Sequence, residues 1–404
     1  MPSTPASAAM SSTAFSTTAF STTASSTTAL ACELVRRASI TPDDAGCQAL
    51  IAERLTALGF DCVWMPRNAV TNLWARRGNT APLVCFAGHT DVVPPGPLEN
   101  WRSDPFTPAL VDGQLCGRGI ADMKGGIAAF ITALERFIAA HPDVPGSLAV
   151  LLTSDEEGDA VDGTAHVVEQ LARRGEAPDY CIIGEPSSHA VLGDTLKNGR
   201  RGSLSGALTV HGIQGHIAYP QLADNPIHAL TPALAELIAT RWDEGNADFP
   251  PTSFQCSNIH AGTGATNMIP GALTLNFNFR HSTESTAESL KERVAHLLKK
   301  HDLKYTLTWQ PASKPFLTVR GALLDAANAA LTDVLGAPAQ TSCEGGTSDG
   351  RFLADICPQL IELGLTNASI HQANECVPIK DLDRLSAVYE RLLERLFGLV
   401  DKPQ

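Results

Sequence analysis

Five short segments put a histidine or a carboxylate directly after an apolar run or at a glycine-rich turn. They are His89 in Gly88-His-Thr-Asp91, Asp122 in Gly117-Arg-Gly-Ile-Ala-Asp-Met-Lys-Gly125, Glu156 and Glu157 in Thr153-Ser-Asp-Glu-Glu-Gly158, Glu185 in Gly184-Glu-Pro186, and His371 in Ala368-Ser-Ile-His-Gln372. Open α/β sheets bind ligands where their strands end, so these positions are expected to face one crevice. Carboxylates crowded into a crevice repel one another unless a cation neutralises them. Two imidazoles with three or four carboxylates form the donor set of two divalent ions about 3.5–4 Å apart, bridged by one carboxylate. Taken singly, one histidine among twelve is usually structural and a loop carboxylate usually solvated. The argument therefore rests on their recurrence at successive strand ends.

The elements that must position these residues alternate between strand and helix from Leu30 to about Pro186. Leu83 to Ala87, Ser147 to Thr153 and Tyr180 to Gly184 are short continuous apolar runs, as expected of strands buried on both faces. Helices are predicted at Cys47 to Leu58, Gly125 to Ala140 and Thr164 to Arg174. This pattern reads as an α/β fold with a largely parallel sheet covered by helices.

Residues 203–310 have a different rhythm. Leu273, Leu275, Phe277 and Phe279 alternate with polar residues, as do Leu303, Tyr305, Leu307 and Trp309, so each strand has one buried and one wet face. Strands at 203–211 and 253–260 and helices at 223–241 and 285–300 complete a split β-α-β-β-α-β order, an inserted α+β domain. After Pro315 the first rhythm resumes, ending in a helix at Asp381 to Phe397. The predicted organisation is an extension at 1–29, a catalytic domain at 30–201 and 315–404, and the inserted domain at 202–314.

At 404 residues the chain is long enough for two or three domains of about 150 residues. A net charge of -13 argues against nucleic acid or an anionic membrane as partner, and favours a small-molecule substrate. No apolar stretch approaches the roughly 18 residues of a membrane span. Ten scattered cysteines include no C-x-x-C pair, and most lie in apolar runs such as Leu83-Val-Cys85-Phe-Ala87. Reduced, buried thiols are expected, which favours a cytoplasmic location. Residues 1–29 are a Ser/Thr/Ala tract with a five-residue repeat and no charge, expected to be disordered, dispensable and unlike a secretory leader.

From about Leu30 to the C-terminal helix, these segments resemble the M20 family of metallopeptidases and deacylases. Further phrases are similar to the branch that removes a succinyl group from an acylated diamino acid in lysine and cell-wall synthesis. They are Ile40-Thr-Pro-Asp-Asp-Ala-Gly-Cys47, Gly184-Glu-Pro-Ser-Ser188, Lys197-Asn-Gly-Arg-Arg-Gly-Ser203 and Gly345-Gly-Thr-Ser-Asp-Gly-Arg351. Family members that act on N-acetylornithine or other acyl-amino acids are the nearest alternatives. The resemblance implies a zinc-hydrolase-type catalytic domain with a mixed, largely parallel sheet and a ferredoxin-like lid and dimerisation domain.

It also implies roles. His89 and Glu185 would bind one zinc, Glu157 and His371 the other, and Asp122 both, with cobalt a possible substitute. Asp91 would accept the ring N–H of His89, and Glu156 would be the general base. A cis peptide would follow Asp122. His216, in Gly212-Ile-Gln-Gly-His-Ile-Ala-Tyr219, would reach the site of the partner subunit in a homodimer and donate to the oxyanion. A substrate rich in carboxylates needs local cations in an acidic protein. Lys197, Arg200, Arg201 and Arg280 are candidates, with Ser203, Tyr219, Asn267, Gly346 and Thr347 as further contacts. Arg200 reads equally well as a solvated turn charge.

Other hydrolytic chemistries fit less well. Gly346-Thr-Ser-Asp-Gly350 matches G-x-S-x-G, but the polar, loop-like stretch from Pro338 to Gly345 offers no buried strand for a nucleophile elbow. A Walker A loop and an H-E-x-x-H helix are absent from the sequence. The pairing of Glu156 with Glu157 speaks against a catalytically silent scaffold, which needs no free base.

Overall fold

A computed structural model describes residues 27–400. Its main sheet has eight strands in the spatial order Asp61–Trp64, Asn72–Arg77, Ser147–Thr153, Leu83–His89, Tyr180–Ile183, Gln359–Glu362, Thr195–Lys197 and Gln340–Ser342. Leu83–His89 runs parallel to Ser147–Thr153 on one side and to Tyr180–Ile183 on the other, and Gln359–Glu362 runs parallel to Tyr180–Ile183. The two strands at the Asp61 end and the pairing of Gln359–Glu362 with Thr195–Lys197 are antiparallel, so the sheet is mixed.

Every residue of Leu83–His89 and Ser147–Thr153 is buried, because both faces of the sheet are covered. Val84, Phe86, Leu148, Val150 and Leu152 face a core made with the helices Thr27–Val35, Cys47–Ala57, Gly125–Ala140, Ala322–Leu335 and Ile379–Leu396. Leu83, Cys85, Ala87, Ala149 and Leu151 face the opposite core, with Val167, Val168 and Leu171 of helix Thr164–Arg174. The period-two alternation of side chains divides each strand between the two cores. Phe86 stacks on Phe130 at 5.1 Å and meets Tyr389 edge-on at 5.3 Å, which locks the helix Gly125–Ala140 against the strand that ends at His89.

A second sheet, in the order Ser253–Ala261, Ala272–His281, Gly202–His211 and Tyr305–Trp309, is antiparallel throughout. With helices Pro226–Ala239 and Ala287–Lys300 on one face it has the ferredoxin-like arrangement, and its apolar cluster is its own. Leu273, Leu275, Phe277 and Phe279 lie in that cluster.

Several expectations need correction. Thr27 to Ala29 belong to a helix rather than to the extension, and Thr27 is buried with its hydroxyl 3.0 Å from that of Thr132. A tertiary contact there overrides the local composition. The remainder of the extension, residues 1–26, lies outside the described residues. Gln340–Ser342 is a strand within the stretch read as loop; it is an exposed edge and so carries no apolar signal. The helix expected from residue 223 begins at Pro226, because the Asn225 side chain accepts the N–H of Ile227 and caps it there. Cys116 and Cys376 form a disulfide, so the expectation of reduced thiols fails at this pair; the other eight cysteines are free. These two lie on facing strands, Gln114–Cys116 and Cys376–Pro378, a proximity that chain separation conceals.

Candidate metal centre

The parallel pairing of three strands brings the chemical groups to one edge of the sheet. His89 ends its strand directly opposite Thr153, and Ala87 is opposite Ile183. Glu156 and Glu157 follow Thr153, and Glu185 follows Ile183, so all four emerge into the same crevice. Asp122 enters from a turn, Ile120–Lys124, in which it departs from helical angles and the following peptide, Asp122–Met123, is cis. His371 comes from the opposite wall on a loop, with its backbone in the left-handed region at φ 60°. Such a conformation is uncommon outside glycine and tends to mark a site held in place by its surroundings.

His89 Nε2 is 3.1 Å from Asp122 Oδ1 and 3.7 Å from Glu185 Oε1. His371 Nε2 is 3.4 Å from Asp122 Oδ2 and 3.0 Å from Glu157 Oε1. Two trios result, His89 with Asp122 and Glu185, and Asp122 with Glu157 and His371, whose donor atoms all lie within 4.8 Å of one another. Asp122 is common to both and offers a different oxygen to each histidine. Glu156 joins His89 and Glu157 in a further group but not the trios that share Asp122.

The crowding of these groups shifts their pKa values. Burial alone would depress the His89 imidazole, yet its hydrogen bond to Asp122 and the charges of Glu185 and Glu156 hold it well above its ordinary value. Hydrogen bonds to Asp122 and Glu157 raise His371 to about 10. Asp122 is held below the usual carboxylate range, because these histidine contacts outweigh its burial. Glu156 and Glu185 are pushed well up, first by burial and then by neighbouring acids, Glu185 acting on Glu156 and Asp122 on Glu185. Two imidazoles and three carboxylates, five donor groups in all, fit a pair of divalent ions, whose binding would displace protons from the imidazoles.

The structure differs from expectation at Asp91. Its carboxylate is 3.7 Å from His89 Nδ1 and instead accepts the N–H of Glu157 at 3.1 Å and of Glu156 at 3.4 Å. The backbone carbonyl of Asp91 meets His89 Nδ1 at 2.9 Å and can fix the imidazole tautomer itself. Asp91 thus also orients the turn that presents Glu156 and Glu157.

The crevice is lined by Asp122, Glu156, Glu157, Glu185 and His371 together with Lys197, Arg200, Gly346 and Thr347. Arg201, Ser203, His216, Tyr219, Asn267 and Arg280 are outside this lining in the single chain. Ser203 lines an adjoining cavity with Thr347 and Arg351, and pairs in register with Arg280. Arg201 donates to the Gly345 carbonyl at 3.4 Å. Arg280 has a buried Nη1 without a partner, and burial with the charges of Arg201 and Arg351 lowers its pKa. His216 and Tyr219 are exposed, with ring centroids 5.7 Å apart and planes tilted by 54°, and the Asn267 carbonyl accepts the N–H of Ile217.

Arg200 is no solvated turn charge. Its Nε donates to Glu362 Oε2 at 2.8 Å, in a pair buried between the crevice and the sheet, and Ser348 also donates to Glu362. Glu362 stands opposite Ile183 on the neighbouring strand, a pairing that needs the sheet topology to be seen. Lys197 is buried, donates to Ser342 Oγ at 3.3 Å, and has its pKa lowered by burial and by Arg200.

Residues 85–395 match the model of peptidase family M20/M25/M40. The chain belongs to this family. The M20 chain is 61% identical to the succinyl-diaminopimelate desuccinylase of Thiobacillus denitrificans, over 92% of this chain and 95% of the relative. It is 62% identical to the enzyme of that name from Bordetella petrii, over 90% of this chain and 96% of the relative. Among solved structures it is similar to an M20 family metallo-carboxypeptidase from Sulfolobus solfataricus, with a TM-score of 0.78 at 16% identity, covering 93% of this chain and 99% of the other. A Bacillus subtilis protein described as a dinuclear metal binding peptidase of the M20 family gives a TM-score of 0.68 at 15% identity, covering 93% and 98%. The M20 resemblance and the fold class expected from the sequence are both borne out. Among the described residues no helix is long and apolar enough to cross a membrane.

Proposed function

We propose that this M20 chain is a two-metal amide hydrolase that converts N-succinyl-LL-2,6-diaminopimelate and water to succinate and LL-2,6-diaminopimelate, a step of lysine and cell-wall synthesis. The observation that carries the proposal is the pair of donor trios sharing Asp122 at a crevice lined by Lys197, Gly346 and Thr347. Relatives of that name about 60% identical over nine-tenths of the chain supply the substrate.

In this reading His89 and Glu185 would hold one ion and Glu157 and His371 the other, with Asp122 available to both. Two bound divalent ions, zinc with cobalt as a workable substitute, would polarise the amide carbonyl and acidify a water. Glu156, whose pKa is raised by burial and Glu185, takes a proton from the attacking water and returns it to the departing amine. Asp91 keeps Glu156 and Glu157 in place through their backbone N–H groups. Lys197, Arg201 and Arg280 receive the substrate carboxylates, with Ser203, Thr347 and the Gly346 backbone as hydrogen-bonding partners. Residues 202–314 act as a lid that carries Arg280 toward the crevice.

His216, Tyr219 and Asn267 act across a homodimer, and His216 of the partner subunit donates to the oxyanion. Support comes from the lid. Ser253–Ala261 is an edge strand with residues 255–260 exposed, and Ile259 is 59% exposed. An open, partly apolar edge of this kind is suited to pairing with a second copy about a twofold axis. Eight free cysteines accord with a cytoplasmic location.

A steady-state assay decides the substrate. Succinyl-diaminopimelate should be turned over with a higher kcat/KM than N-acetylornithine, and chelation should abolish both activities. Preference for N-acetylornithine would reassign the chain to another M20 deacylase.

A further inference from the structure

We propose that Glu375 is a positioning residue of the metal centre, which sets the turn carrying Asp122 and couples it to the loop carrying His371. This inference rests on the two-ion reading above. Glu375 is buried, lies outside the crevice lining, and has both carboxylate oxygens fully engaged. Its Oε1 accepts the N–H of Ala121 at 2.8 Å and of Asp122 at 3.1 Å. Its Oε2 accepts the N–H of Gly119 at 2.8 Å and a guanidinium N–H of Arg118, also at 2.8 Å.

Three backbone donors of one turn thus converge on a single carboxylate, and their directions fix the peptide planes from Gly119 to Asp122. Asp122 leaves helical angles at this place, so no helical hydrogen-bond ladder would otherwise define where its side chain points. Arg118, itself buried, balances the charge of Glu375 and keeps it from becoming one more uncompensated acid beneath the cations. With its acceptors turned to three backbone N–H groups and the Arg118 guanidinium, Glu375 is not a ligand.

The same clamp reaches His371. Arg118 donates to the Gln372 carbonyl at 3.2 Å, and the N–H of Gly117 donates to the Glu375 carbonyl at 2.9 Å. Cys376 is paired in register with Cys116 and bonded to it. The chain from 372 to 378 therefore lies along 114–119, so a shift of the Asp122 turn carries the His371 loop with it. The two ligands that flank one ion position are referenced to each other through Glu375.

The test uses the full chain, stripped of metal and titrated with Zn2+ or Co2+ by calorimetry. Glu375→Gln keeps the size but turns an amide N–H2 toward N–H donors. Glu375→Asp keeps the charge and withdraws the oxygens by one methylene, and serves as the second variant if the first does not fold. Ser386→Ala is the control for stability alone: buried Ser386 Oγ donates to the Ala129 carbonyl and meets the Thr132 hydroxyl in the helical core, with no contact to Glu375. The Glu375 variants should bind metal about 10- to 100-fold more weakly, as expected for groups that orient ligands. Their Co2+ absorption spectra should be altered, and kcat should fall with KM unchanged. Ser386→Ala should keep wild-type metal affinity despite a lower melting temperature. Wild-type affinity in both Glu375 variants would overturn the inference, as would losses that follow melting temperature equally in all three. A wild-type chain that binds fewer than two ions would instead overturn the two-ion reading, and this inference with it.

Discussion

Asp122 presents Oδ1 to His89 at 3.1 Å while its other oxygen faces His371 at 3.4 Å. A carboxylate shared in this way is the element that neither half of the site can lose. Asp122→Ala should therefore reduce bound metal at both positions and lower kcat by more than about 100-fold, beyond the range of changes in groups that merely orient ligands. Metal analysis of the purified variant beside a rate measurement checks this. Retention of two tightly held ions would refute the shared role.

Protonation should make metal binding and stability depend on pH in opposite senses. The His371 pKa is raised to about 10 from an ordinary 6.5, so in the metal-free chain its charged form stabilises the fold. That contribution is complete below pH 6.5 and is lost as pH rises toward 10. The melting temperature of the stripped protein should fall across this window, and His371→Ala should flatten the fall. Metal affinity should climb over the same range, since fewer protons must be displaced. A stripped protein with constant stability from pH 6.5 to 10 would contradict the assignment.

Glu156 differs from its neighbour in its expected consequence. It stands outside the trios that share Asp122, so Glu156→Gln should retain both ions while kcat drops by about 10²- to 10⁴-fold, the usual span for loss of a general base. Glu157→Gln, by contrast, should lose metal. Equal metal content in both variants, or equal loss, would remove the distinction between base and ligand.

The buried pair of Arg200 and Glu362 gives a prediction of stability. Glu362 is fully buried, and removing it strands a guanidinium that lies against the sheet. Glu362→Ala should cost about 3–5 kcal/mol in urea unfolding, the range for breaking a buried ion pair on one side. A loss below about 1 kcal/mol, typical of exposed pairs, would mean that water reaches Arg200.

How far such features were legible in sequence depends on whether they leave a local pattern. Ser147–Thr153 and Gly125–Ala140 are readable to the residue because burial on both faces, or along a helical stripe, writes a continuous apolar signal. Leu273 to Phe279 is readable because its other face is wet. Gln340–Ser342 has no such pattern, being an exposed edge. His89, Asp122, Glu157 and Glu185 stand near a strand end or glycine turn and so announce their place, whereas His371, expected there too, lies on a loop that adjoins neither. Glu375, by contrast, looks like any loop acid, since three of its four partners are backbone N–H groups that have no sequence signature. The pairing of Cys116 with Cys376 and of Arg200 with Glu362 depends on which strands become neighbours, information held by the topology alone.

The proposed action of His216 across a dimer can be separated from action within one chain. A His216→Ala homodimer and a Glu156→Gln homodimer should each be nearly inactive. When the two are mixed and allowed to exchange subunits, one site of each heterodimer combines an intact Glu156 with an intact His216 from the other chain. The second site carries both lesions. With free exchange half the dimers are mixed, and each holds one sound site of two, so roughly a quarter of wild-type activity should return. If His216 served the site of its own chain, every site would keep one lesion and mixing would restore nothing. Native mass spectrometry of the mixture, with one variant isotopically labelled, establishes that exchange has occurred, so that absent recovery counts against the trans arrangement. The exposed position of His216, apart from the crevice of its own chain, is what makes recovery the expected result.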